Sequence, residues 1–335
     1  MTAQFENMGL HLPNSTAYTT QTMTYRPLAL GVALSFLLSF LSMVEYAKVA
    51  GGIFDAWDAW HYANMAGLAP SPLQQRILSF LIPEALHQSF GLSILHSYLL
   101  ERFTFLALSG TAMFILAARF VSTEKSLALL LIFFMFYNLS SLAHIQPAEE
   151  VNIFVFALCF LLIDSRRFTL LLLTAAVGAA VKTTIIFIVP IYFVFCILTR
   201  RPAIRTLVES GVLVGVISAI AGGIALHYSA PREYLGGLWQ YTYNTQQILD
   251  LSPQSFPFIL VSLAPMLCVF HSWQKQPPII QAVAIVCPLF VAGHYLISRV
   301  EEFRTFMPIA LALLIGMLIF SSQSFQAHPT NARRG

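Results

Sequence analysis

Gly51-Gly52-Ile53-Phe54-Asp55-Ala56-Trp57-Asp58-Ala59-Trp60-His61-Tyr62-Ala63 is the first strongly polar and aromatic island of the chain, and it follows a long apolar run. Read as a helix, it places Asp55 and Asp58 three apart on one face, with His61 and Tyr62 one turn further on. Trp57 and Trp60 flank that face, as amphipathic rings do at a membrane surface. The stretch therefore reads as the mouth of a membrane-embedded site. Two carboxylates beside a bilayer surface suit base chemistry.

The rest of the chain supports that setting. Of its 335 residues, 57% are hydrophobic and only 10% are charged, with a mean hydropathy of +0.73. Apolar runs recur at lengths that span a bilayer. The expectation is an all-α, polytopic transmembrane bundle of about ten spans, forming one domain over residues 1–335. The spans fall at 28–46, 103–121, 126–144, 150–164, 168–181, 184–199, 206–227, 256–271, 278–298 and 303–320. The pair 168–181 and 184–199 meets at Val181-Lys182-Thr183-Thr184 and reads either as two short spans or as one interrupted element. A polar tail, 1–27, lacks the charged and apolar regions of a signal peptide, so the first run is expected to remain as a span. The net charge of +3 is small and its basic residues form no stripe, which argues against a nucleic-acid partner. Cys159, Cys196, Cys268 and Cys287 all lie in apolar runs without metal-ligand spacing and are expected to be packing residues.

With the N-terminus inside, Arg26, Arg119, Lys125, Arg166, Arg167, Arg200, Arg201, Arg205, Lys275, Arg333 and Arg334 fall on the cytoplasmic side, 11 of the 18 basic residues. Most acidic residues fall on the other side. Two long outer loops result, 47–102 and 228–255, and a cytoplasmic tail covers 321–335. Within the first loop, the run Leu73 to Pro83 is too short for a crossing and reads as an interfacial helix. The second loop carries Trp239, Tyr241, Tyr243 and Asn244, which suit either sugar stacking or an interfacial belt.

The same topology gathers Arg76, Glu149, Glu150, Lys182, Glu301, Glu302 and Arg304 at the outer surface. Ionisable groups at membrane depth are costly and mark functional sites by default, whereas the plainer reading is a helix-end charge that reaches water. Glu45, Lys48, Glu101 and Arg102 are expected to pair locally at the surface. His294 and Tyr295 are expected to be satisfied between packed helices.

Asp55 to Tyr62, Arg76-Ile77-Leu78 leading to Pro83, Gln146-Pro147-Ala148-Glu149-Glu150, Lys182-Thr183-Thr184 and Glu301-Glu302-Phe303-Arg304 together resemble the GT-C superfamily of polytopic glycosyltransferases. The likeness is nearest to its small bacterial and mannosyltransferase-like members. The resemblance implies an acidic base in the first outer loop, here Asp58 or Asp55, and a polyprenyl-phosphate-linked sugar as donor. It also implies action on the non-cytoplasmic face of a bacterial inner membrane, upon a glycan, lipid or protein acceptor. Arg76, Lys182 and Arg304 would hold the leaving phosphate, with Glu149, Glu150, Glu301, His61 and Tyr62 completing the substrate site. No dedicated metal site or cofactor is expected, although Asp55, Asp58 and Glu149 or Glu150 have the chemistry to converge on a divalent cation. The acids are spaced Asp-x-x-Asp where the family has adjacent acids or DxD, and Lys182 stands where an arginine is expected. Two rival readings are a transporter or flippase of a lipid-linked or small polar substrate, and a non-catalytic membrane subunit. The clustering of charge at one surface, without matching halves, argues against the transporter.

Overall fold

The computed structural model describes residues 25–50, 55–68, 76–143, 149–228, 240–250, 256–297 and 306–324. Among these the chain is all-helical. The helices are α1 (Tyr25–Ala50), α2 (Asp55–Met65), α3 (Leu78–Phe90), α4 (Ile94–Ala117), α5 (Thr123–Ala143), α6 (Glu149–Asp164) and α7 (Phe168–Val181). They continue as α8 (Ile188–Leu198), α9 (Ala203–His227), α10 (Tyr241–Leu249), α11 (Phe256–His271), α12 (Pro278–Ile297) and α13 (Met307–Ser324). Glu301, Glu302 and Arg304 lie outside the described residues, as does Trp239.

Helix α6 is the centre. It is apolar around its whole circumference, and a helix of that kind is stable only when enclosed. Its residues from Glu149 to Ile163 are almost all buried, with α4, α7, α8, α12 and α13 packed about it. Helices α1 and α9 have the opposite character. Their outward faces carry exposed Leu37, Phe40, Leu41, Ile204, Leu207 and Val208, a surface that water would not tolerate and lipid would. Four helices, Tyr25–Lys48, Ile94–Ala117, Ala203–His227 and Pro278–Leu296, are long and apolar enough to cross a bilayer; Phe168–Val181, Thr183–Leu198 and Met307–Ser322 are apolar but shorter. The chain is a helical membrane protein. Cys159, Cys196 and Cys287 are buried and all four thiols are free, as packing residues would be.

Helix α1 is fastened by a stripe of small polar residues. Ser35, Ser39 and Ser42 are buried and share a face with Tyr46. Ser39 Oγ donates to the Phe103 carbonyl at 2.6 Å, and Ser42 Oγ to the Asn138 side chain. Small residues with a hydroxyl let helices approach closely in lipid and supply a bond where they meet. Tyr46 is thereby held against α4.

Three boundaries differ from the sequence reading. Helix α4 begins at Ile94, not at 103, because Ser93 caps it by accepting from the His96 amide at 3.2 Å. Glu101 and Arg102 are therefore inside a bilayer-length helix and not in a loop. The short helix α3 covers 78–90 instead of 73–83, and Gly91 closes it in the left-handed conformation, φ 65°. Finally, α7 ends at Val181, Lys182 is extended, and a 3₁₀ turn over Thr183–Phe187 leads into α8. The break that the sequence places at Val181-Lys182-Thr183-Thr184 is present, and it carries the lysine.

Candidate functional site

The charged side chains separate into two layers. Arg119, at the C-terminal end of α4, meets Asp164 at the end of α6 at 2.6 Å. Lys125 at the start of α5 bonds Ser322. Arg201 and Arg205, at the start of α9, meet Glu209 at 3.3 and 2.9 Å. That end holds the arginines that the sequence assigns to the cytoplasm.

The opposite ends of the same helices hold a buried acid–base cluster. Glu149 and Glu150 open α6, and both are 3% exposed. Lys182, at the end of α7, reaches Glu149 with Nζ 2.6 Å from Oε1. Gly178, one turn earlier, permits this, since a Cβ there would stand 2.7 Å from Val155 and 2.8 Å from Ile185. A side chain at that position would push α7 off α6 and lift the lysine from its partner. Arg102 of α4 meets Glu150 at 2.6 Å, and the Tyr137 hydroxyl of α5 donates to the same carboxylate. The guanidinium carbon stands over the Tyr46 ring, 3.6 Å from its centre, a cation–π contact that strengthens when water is excluded. Arg102 is thus clamped by one carboxylate and two rings, the second being Tyr137 at 5.2 Å. Its Nε and Nη2 are buried and have no hydrogen-bond partner among the described residues.

Arg102 also lines a small cleft, with Tyr46, Trp57, Tyr98, Glu101 and Glu150 among its walls. The aromatic wall is built edge to face: Trp57 lies 5.0 Å from Tyr98 and 6.4 Å from Tyr46, ring centre to ring centre. Glu101, 4% exposed, also has a buried oxygen, Oε1, without a partner among the described residues. The expectation that Glu101 and Arg102 pair at the surface is overturned. Both are buried, and Arg102 turns to a different helix.

The residues expected to form the site divide as follows. Glu149, Glu150 and Lys182 come together. Asp58 is exposed on α2, next to the cleft-lining Trp57, and the Asp55 side chain lies outside the described residues. His61 is fully buried, and both ring nitrogens are engaged, Nδ1 with the Tyr98 hydroxyl and Nε2 with Glu84 Oε2, each at 2.9 Å. It fastens α2 to α3 and α4 and does not face a ligand directly. The His61 contact, with a further bond from Gln88, holds the Glu84 carboxyl below its ordinary value of 4.5, against the opposing effect of partial burial. Tyr62 is exposed and touches the His61 ring by its edge. Arg76 is half-buried ahead of α3, and its buried Nη1 has no partner among the described residues. His294 is buried against Phe290 and bonds the Phe290 carbonyl at 3.0 Å, a satisfied packing residue. In the segment 240–250, Asn244 ties α10 to the Tyr295 carbonyl at 2.6 Å, and Tyr241 stays exposed. No group of three or more metal-ligating side chains occurs among the described residues.

Comparison with known proteins adds no relative: no family model, curated protein or solved structure matches the chain.

Proposed function

We propose that the chain is a GT-C-like membrane glycosyltransferase of about ten spans, which moves a sugar from a polyprenyl-phosphate donor to an acceptor at the non-cytoplasmic face of a bacterial inner membrane. The observation that carries this reading is the clamped Arg102 at the cleft, with two buried donors left over. Ionised donors without acceptors in a dry site are expensive unless a ligand supplies the charge. A phosphate or phosphodiester oxygen is the natural occupant, because a guanidinium edge matches it in geometry and sign.

The chemistry follows from the layout. The acceptor oxygen attacks the anomeric carbon, the bond from that carbon to the phosphate oxygen breaks, and the electron pair leaves with the phosphate. Arg102 stabilises the charge that develops there, in a setting prepared before the reaction starts. Lys182 and Glu149 lie behind it and fix the start of α6. Asp58, exposed at the rim, is the base that the resemblance implies. The end of the bundle that carries this cluster faces away from the arginine layer and hence away from the cytoplasm.

The test is sugar discharge from radiolabelled polyprenyl-phosphate hexoses by the purified protein in nanodiscs, with a bacterial envelope lipid extract as acceptor source. Transfer that Arg102→Lys lowers strongly supports the reading. Lack of transfer from every polyprenyl-phosphate hexose contradicts it.

A further inference from the structure

The turn from α6 to α7 and the turn from α8 to α9 are built alike. Both carry a small hydroxyl residue followed by two arginines, Ser165-Arg166-Arg167 in one and Thr199-Arg200-Arg201 in the other. In each, the hydroxyl donates to the carbonyl four residues back, Ser165 to Leu161 and Thr199 to Phe195. The next two amides fold back onto the same helix: Arg166 and Arg167 donate to the Ile163 and Leu162 carbonyls, Arg200 and Arg201 to those of Ile197 and Cys196. That pattern closes a helix with a left-handed residue, which is usually glycine. Here the left-handed residues are Arg166, φ 57°, and Arg200, φ 54°. Any residue with a side chain then brings its Cβ close to the following carbonyl oxygen, a strain that glycine avoids.

Positive charge at this end of the bundle is what membrane insertion asks for, but insertion counts charge over a whole loop and is indifferent to backbone position. Two arginines in the glycine position of the same turn point to a use for their side chains. Their charges are also left over. Arg119 takes Asp164, and Arg201 and Arg205 take Glu209. Arg166, Arg167 and Arg200 are exposed and form no ion pair among the described residues. Neither α7 nor α9 has an acid in its first turn to compensate them.

The two turns adjoin. Phe168, next to Arg167, packs on Tyr192 with ring centres 5.6 Å apart, and the Tyr192 hydroxyl accepts from Arg201 Nη1 at 2.9 Å. Immediately beyond the arginines the surface becomes apolar, for Leu170 and Leu173 of α7 and Ile204, Leu207 and Val208 of α9 are all exposed. A soluble anion would use only the charges. A phospholipid uses both parts, since its phosphate suits the guanidinium forks and its acyl chains suit the apolar faces.

We propose that the twin arginine turns bind the headgroup of an anionic phospholipid, with Arg166, Arg167 and Arg200 on the phosphate and the acyl chains along the exposed faces of α7 and α9. The site lies at the opposite ends of α6 and α7 from Glu149 and Lys182, and it stands whether or not the chain transfers a sugar.

The test is titration of the delipidated protein in detergent at fixed salt, read by native mass spectrometry, with phosphatidylglycerol, phosphatidylcholine and glycerol phosphate as probes. One arginine near an anionic headgroup corresponds to about a fivefold change in affinity, and two to about thirtyfold. The wild type should favour phosphatidylglycerol over phosphatidylcholine by about thirtyfold or more. The double variant Arg166→Gly, Arg200→Gly should lose about thirtyfold in phosphatidylglycerol affinity. Glycine suits both left-handed positions, so the lipid-free variant should melt near the wild type, and added phosphatidylglycerol should raise its melting temperature less. Arg167→Gln, outside the left-handed positions, keeps the test open whatever the double variant's fold: a loss of about fivefold supports the proposal, and no loss contradicts it. Equal affinity of the wild type for the two lipids overturns the proposal, as does wild-type phosphatidylglycerol affinity in a folded double variant. Displacement of phosphatidylglycerol by an equimolar amount of glycerol phosphate would mark a site for a soluble phosphate and would also overturn it.

Discussion

Separating Arg102 from Glu150 tests the burial on which the site depends. The two groups are 2.6 Å apart and their side chains are 6% and 4% exposed. An exposed ion pair contributes about 0–1 kcal/mol, whereas removing one member of a buried pair costs about 3–5 kcal/mol, because the other charge is left without compensation. Arg102→Met keeps most of the apolar stem but leaves the Glu150 carboxylate with the Tyr137 hydroxyl and no counter-charge. Its expected cost is about 3–5 kcal/mol. Glu150→Gln is milder, since the amide oxygen can still accept from Tyr137 and the guanidinium keeps its cation–π contact with Tyr46. The double variant removes both charges and should recover much of the loss, for a coupling of about 2 kcal/mol or more. The measurement is a double-mutant cycle in bicelles, with SDS-driven unfolding followed by the fluorescence of the four tryptophans. Coupling below about 1 kcal/mol would mean that the pair sits in water. The cleft, the clamped guanidinium and the argument for a phosphate would then fall together.

Further predictions concern the supports of the site. Gly178→Val forces a side chain against Val155 and Ile185; overpacking of this kind costs about 1–3 kcal/mol, and the shift of Lys182 should show as weakened coupling to Glu149 in the same unfolding assay. The Glu84–His61 contact makes stability depend on pH: with the Glu84 carboxyl held below 4.5, its contribution is complete above that value and is lost as pH falls through the lowered one. Thermal melts across acid pH should therefore show an acid-side loss that Glu84→Gln diminishes, and an unchanged slope in that variant would contradict the assignment. Cysteines placed at exposed Asp58 and Phe90 should label from one face of oriented vesicles, and those at Arg166 and Arg200 from the other; labelling of all four from one face would refute the two-layer arrangement.

Much of this site can be read from residue order, and the part that cannot has a physical reason. Glu149, Glu150 and Lys182 stand out because an ionisable group at the end of an apolar run needs an explanation, and the structure brings all three together. Glu101 and Arg102 read as a local surface pair for the converse reason. His96, Glu101 and Arg102 interrupt the apolar pattern, so hydropathy starts the span at 103, while the Ser93 cap, a local hydrogen-bond signal, starts the helix at Ile94. The partners of His61 are 23 and 37 residues away, and no periodicity links Glu84, His61 and Tyr98. Only packing shows that the histidine fastens α2 to α3 and α4. Likewise, the Asp58 that dominates the sequence reading sits on the exposed face of α2, while Trp57, its neighbour in the same island, turns inward to form the wall.

The most direct test is a structure of the protein in nanodiscs with a polyprenyl-phosphate hexose bound. The account predicts phosphate density within hydrogen-bond distance of Arg102 Nε and Nη2. Phosphate density at the arginine layer around Arg119 and Arg201, with the Arg102 edge still free, would contradict it.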